Sequence, residues 1–83
     1  MKKIEIYTGP LCGYCNAAKA LLKRKNISFE EIDIGEQPEK REEMLKRSNG
    51  AKKIPQIFIG DFHVGGYEQL RDLENKGKLD TLL

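Results

Sequence analysis

Apolar and polar positions alternate in Ile4-Glu5-Ile6-Tyr7-Thr8, which predicts a short strand broken by Gly9-Pro10. The period then changes. Ala17, Ala18, Ala20, Leu21 and Leu22 form a helix-favouring run with Lys19, Lys23, Arg24 and Lys25 on its wetter side. Lys25-Asn26 closes that helix, and residues 27–34 alternate again as a second strand. Strand, helix and strand with short connections predict a right-handed unit whose two strands run parallel. Pro38 stands where a helix start tolerates proline. Glu39, Glu42 and Glu43 follow in the early turns, and Met44 to Arg47 carry the helix to a stop at Ser48-Asn49-Gly50. Gln56-Ile57-Phe58-Ile59 predicts an almost wholly apolar strand, Gly60-Asp61 a tight turn, and Phe62-His63-Val64 the returning arm, which Gly65-Gly66 interrupts. Glu68 to Lys76 predict a last helix with Leu70 and Leu73 inward and Gly77 as its stop, and Leu79, Leu82 and Leu83 one more short turn. The order β-α-β-α-β-β-α fits one α/β domain over residues 1–83, a four-stranded mixed sheet with helices on both faces.

Between the first strand and the first helix lies Cys12-Gly13-Tyr14-Cys15. Two intervening residues put both sulfurs on one turn, close enough to close a small disulfide ring. Cys12 is expected at the helix N-terminus, where unpaired N–H groups and the positive end of the macrodipole favour a thiolate, the reactive form. The bland alternative is a pair of buried small hydrophobes that happen to share this spacing; the placement at a helix start argues against it.

Composition narrows the setting. Eighty-three residues allow one modest core, and a mean hydropathy of −0.60 is that of an ordinary soluble chain. No apolar run approaches the ~18 residues a membrane span needs, and Met1-Lys2-Lys3 leads into a strand pattern rather than a signal-peptide core. These features point to the cytoplasm, where a cysteine pair is more often catalytic or metal-binding than structural. A net charge of +2 is too small to imply nucleic acid. Lys52-Lys53, just before Ile54-Pro55, is the local exception and could attract a small anion.

Tyr7-Thr8, Cys12-Gly13-Tyr14-Cys15, Ala18-Lys19, Ile54-Pro55-Gln56-Ile57-Phe58 and Gly65-Gly66 occur in that order along essentially the whole chain. Together they resemble the glutaredoxins, small bacterial dithiol members in particular, and so imply a thioredoxin-like fold and a glutathione-dependent thiol–disulfide oxidoreductase. The resemblance implies that Cys12 is the nucleophile and Cys15 the resolving thiol. It implies that Pro55 is a cis-proline that turns the Ile54 backbone toward an extended peptide such as glutathione; a trans proline opening an edge strand is the alternative. Gly66, Tyr67 and Glu68 would receive the γ-glutamyl end, Tyr14 would wall the groove beside Cys12, and Lys53 would add charge to it. Glu68 reads equally well as a favourable charge in a first helical turn, and Tyr14 as a ring capping the helix start. Disulfide-containing or glutathionylated proteins are the expected partners of a monomer that needs no membrane or nucleic acid. His63 is expected at the surface, and Phe29, Ile32, Ile34, Ile57, Phe58 and Ile59 in the core.

Three positions depart from the family pattern. Gly9 stands where many glutaredoxins carry lysine, leaving that cation's work to the helix N-terminus and to Lys19, Lys52 or Lys53. Gly13 replaces a common proline, and Lys53-Ile54 replaces a more usual Thr-Val pair. Two other functions compete. A thioredoxin-like reductant lacks support because the W-C-x-x-C context is missing and Gly65-Gly66 offers a ligand pocket. A binding module holding a 2Fe–2S cluster between two subunits is the less favoured reading; no resident metal site is expected.

Overall fold

Glu5 and Tyr7 point to one side of the first strand and Ile4 and Ile6 to the other, and the sheet is built around that alternation. A computed structural model describes residues 2–83. Its elements are β1 (Ile4–Thr8), α1 (Gly13–Arg24), β2 (Glu30–Asp33), α2 (Lys40–Arg47), β3 (Gln56–Ile59), β4 (Phe62–Gly65) and α3 (Tyr67–Asn75), followed by a 3₁₀ turn at Asp80–Leu82. The strands lie in the order β2-β1-β3-β4. β1 pairs with β2 in parallel and with β3 antiparallel, and β3 pairs antiparallel with β4. This is the mixed, thioredoxin-like sheet expected from the element order.

Two cores sit on the two faces. Ile4, Ile6, Ile57, Ile59 and Val64 pack against Ala18, Leu21 and Leu22 of α1 and Leu70 of α3. Tyr7, Ile32, Met44 and Phe58 form the other, with Met44 brought in by α2. Phe29 and Ile34 lie half-buried at the margins. Among the described residues no helix is long and apolar enough to cross a membrane.

Two boundaries differ from expectation by more than one residue. The second strand begins at Glu30 rather than Ile27, because the parallel ladder opens at Glu5↔Glu30 and the preceding residues have no strand to pair with. Ile27 instead donates its N–H to Leu22 O at 3.0 Å and finishes the helix behind it. α2 starts at Lys40, two residues after Pro38, which opens a turn closed by Arg41 N–H on Pro38 O at 3.1 Å.

The second core carries a polar clamp. Tyr7 Oη donates to Glu43 Oε2 and accepts from Arg47 Nη1, both at 2.9 Å, and Arg47 Nη2 lies 3.0 Å from Glu5 Oε1. The guanidinium also stands 4.2 Å from the Phe58 ring centroid. Burial, more than any neighbour, raises the Tyr7 phenol above its ordinary value, so it remains a neutral donor. Replacing Arg47 with methionine keeps the apolar stem and removes its links to Tyr7 and Glu5, leaving the Tyr7–Glu43 hydrogen bond as the remaining polar tie between α2 and β1. We expect a loss of about 2 kcal/mol in urea unfolding at neutral pH, and about 1 kcal/mol for Tyr7→Phe. An Arg47→Met variant as stable as the parent would show the clamp to be solvent-screened.

Candidate active site

The chain leaves β1 through Gly9-Pro10 and reverses at Leu11, whose φ of 53° is left-handed, so that Cys12 caps α1. Cys12 has extended backbone and a half-buried side chain, and its Sγ accepts the Cys15 N–H at 3.1 Å. An N–H of the first helical turn is thus aimed at the sulfur, the contact that favours a thiolate. Cys15, one turn in, is 1% exposed. The two sulfurs form a disulfide, with Cα atoms 5.2 Å apart.

Beside Cys12 lies an open groove of about 310 Å³, lined by Tyr14, Lys53, Ile54, Pro55, Gln56, Gly66, Tyr67, Glu68 and Gln69. Every residue expected to contact glutathione is in this lining; the two cysteines are not, and Tyr14 of the lining lies between them in sequence. Ile54-Pro55 is cis. Tyr14 is exposed and stacks on Tyr67, ring centroids 6.2 Å apart, so α1 and α3 share one wall. Gly65 ends β4 with φ 112°, a conformation side chains rarely adopt, and a Cβ there would also press on Gln69 at 3.2 Å. Gly66 caps α3, and its N–H donates to Gln69 Oε1 at 2.9 Å. Tyr67 and Glu68 open α3, so their N–H groups belong to its unpaired first turn, the usual setting for a carboxylate at a helix N-terminus.

Gln56 and Gln69 belong to the lining and were missed in the sequence. Gln69 was legible as the residue three past a Gly cap; Gln56 read only as a strand position. His63 is corrected. It is half-buried, not a surface residue, and stacks on Phe58 with ring centroids 4.8 Å apart. The cause is the register of the hairpin: the two-residue turn at Gly60-Asp61 sets Phe62 opposite Ile59 and His63 opposite Phe58, so the imidazole shares the Phe58 face; the bulge comes after it, where Ile57 pairs with Gly65.

Two of the three departures, Gly9 and Ile54, share a physical reason. A Cβ on Gly9 would come within 2.6 Å of Ile54 Cδ1, so a side chain at position 9 competes with the isoleucine for the same space. A Cβ on Gly13 would meet nothing within 4 Å, so crowding does not explain its glycine. Lys19 is not available to a ligand, because its Nζ lies 2.9 Å from Glu31 Oε2. The exposed Lys52 and Lys53 make no ion pair among the described residues. Nor, among those residues, do three His, Cys, Asp or Glu side chains gather as metal ligands.

A C-x-x-C disulfide capping a helix, beside a peptide-sized groove at one end of a thioredoxin-like sheet, defines a thiol–disulfide oxidoreductase. The glutaredoxin family model matches residues 4–64. Escherichia coli strain K12 Glutaredoxin 3 is 51% identical over 83 residues, covering 100% of this chain and 99% of that protein. The solution structure of glutaredoxin from Brucella melitensis is 55% identical and superposes with a TM-score of 0.84, covering 100% of this chain and 89% of that one. A buckwheat glutaredoxin–glutathione complex, at 24% identity and a TM-score of 0.85, shares the fold over 99% of this chain and 76% of its own. The chain belongs to the glutaredoxin family, the glutathione-dependent disulfide oxidoreductases.

The Lys19–Glu31 pair gives a pH test of this end of the sheet. Hydrogen bonds from Lys19 and then from Thr8 hold the Glu31 carboxyl below the ordinary glutamate range. Stability from a depressed carboxyl is present above the unfolded pKa, ~4.3, and disappears as pH falls through the folded value. Wild type should exceed Glu31→Gln by about 0.5 kcal/mol in urea unfolding at pH 7, a small figure because the pair is partly exposed. The gap should close below about pH 4; a pH-independent gap would mean the charge is irrelevant.

Proposed function

We propose that residues 1–83 form one glutaredoxin unit in which Cys12 attacks and Cys15 resolves. The carrying observation is their inequality: a half-buried Cys12 sulfur holding a helix N–H, and a Cys15 sulfur almost wholly enclosed. On a glutathionylated protein, the Cys12 thiolate attacks the glutathione sulfur and the protein thiolate leaves. A second glutathione thiolate then attacks the Cys12-bound glutathione, releasing oxidised glutathione and the free Cys12 thiolate. On a protein disulfide, Cys12 forms a mixed disulfide with one protein sulfur and the other sulfur leaves as thiolate. Cys15 then attacks the Cys12 sulfur, freeing the protein dithiol and leaving Cys12–Cys15 joined, the bond present in this structure. Two glutathiones return that bond to dithiol.

Glutathione is assigned to the groove with its backbone against Ile54 and Pro55, its γ-glutamyl carboxylate at the Tyr67 and Glu68 N–H groups, and its ammonium near Glu68. Lys53, with Lys52 beside it, supplies the cationic side. All of these residues come from one chain, which supports a monomer acting on disulfide-containing or glutathionylated proteins. A reducing cytoplasm suits a chain whose only two cysteines both belong to the site. A 2Fe–2S cluster takes four thiolates. One chain has two cysteines, here joined to each other, so a cluster would draw ligands from a second copy and from glutathione. No observation favours that assembly.

Cys12→Ser should abolish turnover of a small glutathione mixed disulfide coupled to glutathione reductase. Cys15→Ser should retain it while losing reduction of a protein disulfide. Equal loss in both variants on the mixed disulfide would overturn the assignment.

Reversing both lysines, Lys52→Glu with Lys53→Glu, should raise KM for the glutathionylated substrate at low salt. Added salt should narrow the difference, since exposed charges are screened beyond ~8–10 Å at physiological ionic strength. Identical KM values at low salt would remove the lysines from the site.

A further inference from the structure

His63 stands outside the groove, yet it is linked to the groove wall by two short polar contacts in series. Its Nε2 lies 2.6 Å from Gln56 Oε1, and Gln56 Nε2 donates to Lys53 O at 2.8 Å. Gln56 is 6% exposed, so both ends of its amide need partners from the protein. The Lys53 carbonyl can only accept, which fixes the amide nitrogen toward it and leaves Oε1 facing the imidazole. His63 must then carry its proton on Nε2. Burial lowers the His63 pKa, in keeping with a neutral ring. Its stack on Phe58, its cross-strand partner in the hairpin, holds the donor in place.

The far end of this relay is a peptide group. Lys53 C=O and Ile54 N–H belong to one planar trans unit, cis geometry being confined to Ile54-Pro55, so they point in opposite directions. Gripping the oxygen therefore sets the direction of the N–H. That N–H has no protein partner among the described residues, although Ile54 lines the groove.

We propose that His63 is a positioning residue that acts through Gln56 to hold the Lys53–Ile54 peptide plane and aim the Ile54 N–H at the bound glutathione backbone. The proposal rests on reading the groove as the glutathione site. Without the His63 donor, the Gln56 amide keeps one of its two anchors, and its hold on the Lys53 carbonyl loosens.

The test compares His63→Phe, which keeps the ring stack and deletes the donor, with His63→Gln, which restores an N–H donor. On a small glutathione mixed disulfide, His63→Phe should raise KM about fivefold, the worth of one net hydrogen bond of ~1 kcal/mol, and leave kcat unchanged. His63→Gln should bring KM back. Gln56→Met cuts the same relay at its other link and should reproduce the KM effect, also covering the case in which His63→Phe does not fold. A folded donor-less variant with wild-type KM, or a loss in kcat that His63→Gln does not rescue, would overturn the proposal. The 15N order parameter of the Ile54 amide separates the two layers of inference. A lower order parameter in the donor-less variants, restored in His63→Gln, supports positioning even if wild type proves inactive on glutathione substrates, an outcome that would instead strike the assigned function. Equal order parameters in all variants would overturn positioning whatever the activity.

Discussion

Tyr7 lies opposite Gln56 in the antiparallel ladder between the two central strands, and most of the site follows from that register. β1 runs toward Thr8 and delivers the chain to Cys12; β3 starts just after Pro55. Because the two run in opposite senses, the exit of one and the start of the other share one end of the sheet. β4 returns antiparallel to β3 and brings Gly65-Gly66 to that same end. Three segments far apart in sequence thus meet without a dedicated loop to join them. A slip of one residue would send Ile57 and Ile59 to the face of Tyr7 and exchange the contents of both cores.

Charge divides into two populations around this frame. Lys19, Lys25 and Arg47 are held by carboxylates that tie helices to strands or to one another: Lys19 to Glu31, Lys25 to Glu74 and Asp80, Arg47 to Glu5. Lys52 and Lys53 are tied to none among the described residues and stand beside the groove. A chain with nearly balanced formal charge therefore presents a locally cationic rim at the groove. The balance is global and the imbalance is local, which is why net charge alone says little about the ligand.

Element types and order were legible because each strand carries its alternation and each helix its stops. β1 and β3 have the predicted bounds, and Gly77 does end the last helix, with φ 70°. The C-x-x-C at a helix start, the X-Pro before an apolar strand and the double glycine made the site legible as well. What escaped was set by pairing rather than by local pattern. Whether residues 27–29 join a ladder depends on where β1 begins, and no feature of their own sequence says so. The two-residue turn already sets His63 opposite Phe58; what local pattern did not show is the bulge beyond it, where Ile57 pairs with Gly65. Gly65 at the end of a short arm was the one hint of that bulge, since glycine inside a strand pattern often marks one. It was read instead for the ligand it might admit.

The close approach between Gly9 and Ile54 joins two departures that look unrelated in the sequence. The atom that a Cβ at position 9 would strike is Cδ1, the methyl that distinguishes isoleucine from valine. A side chain at position 9 and an isoleucine in this rotamer at position 54 therefore exclude one another. The atom in the way is the free end of the side chain, so a rotation at Ile54 or its shortening to valine opens the space. What a side chain at position 9 would cost is thus set by the rotamer at position 54, on a segment forty-five residues away in sequence.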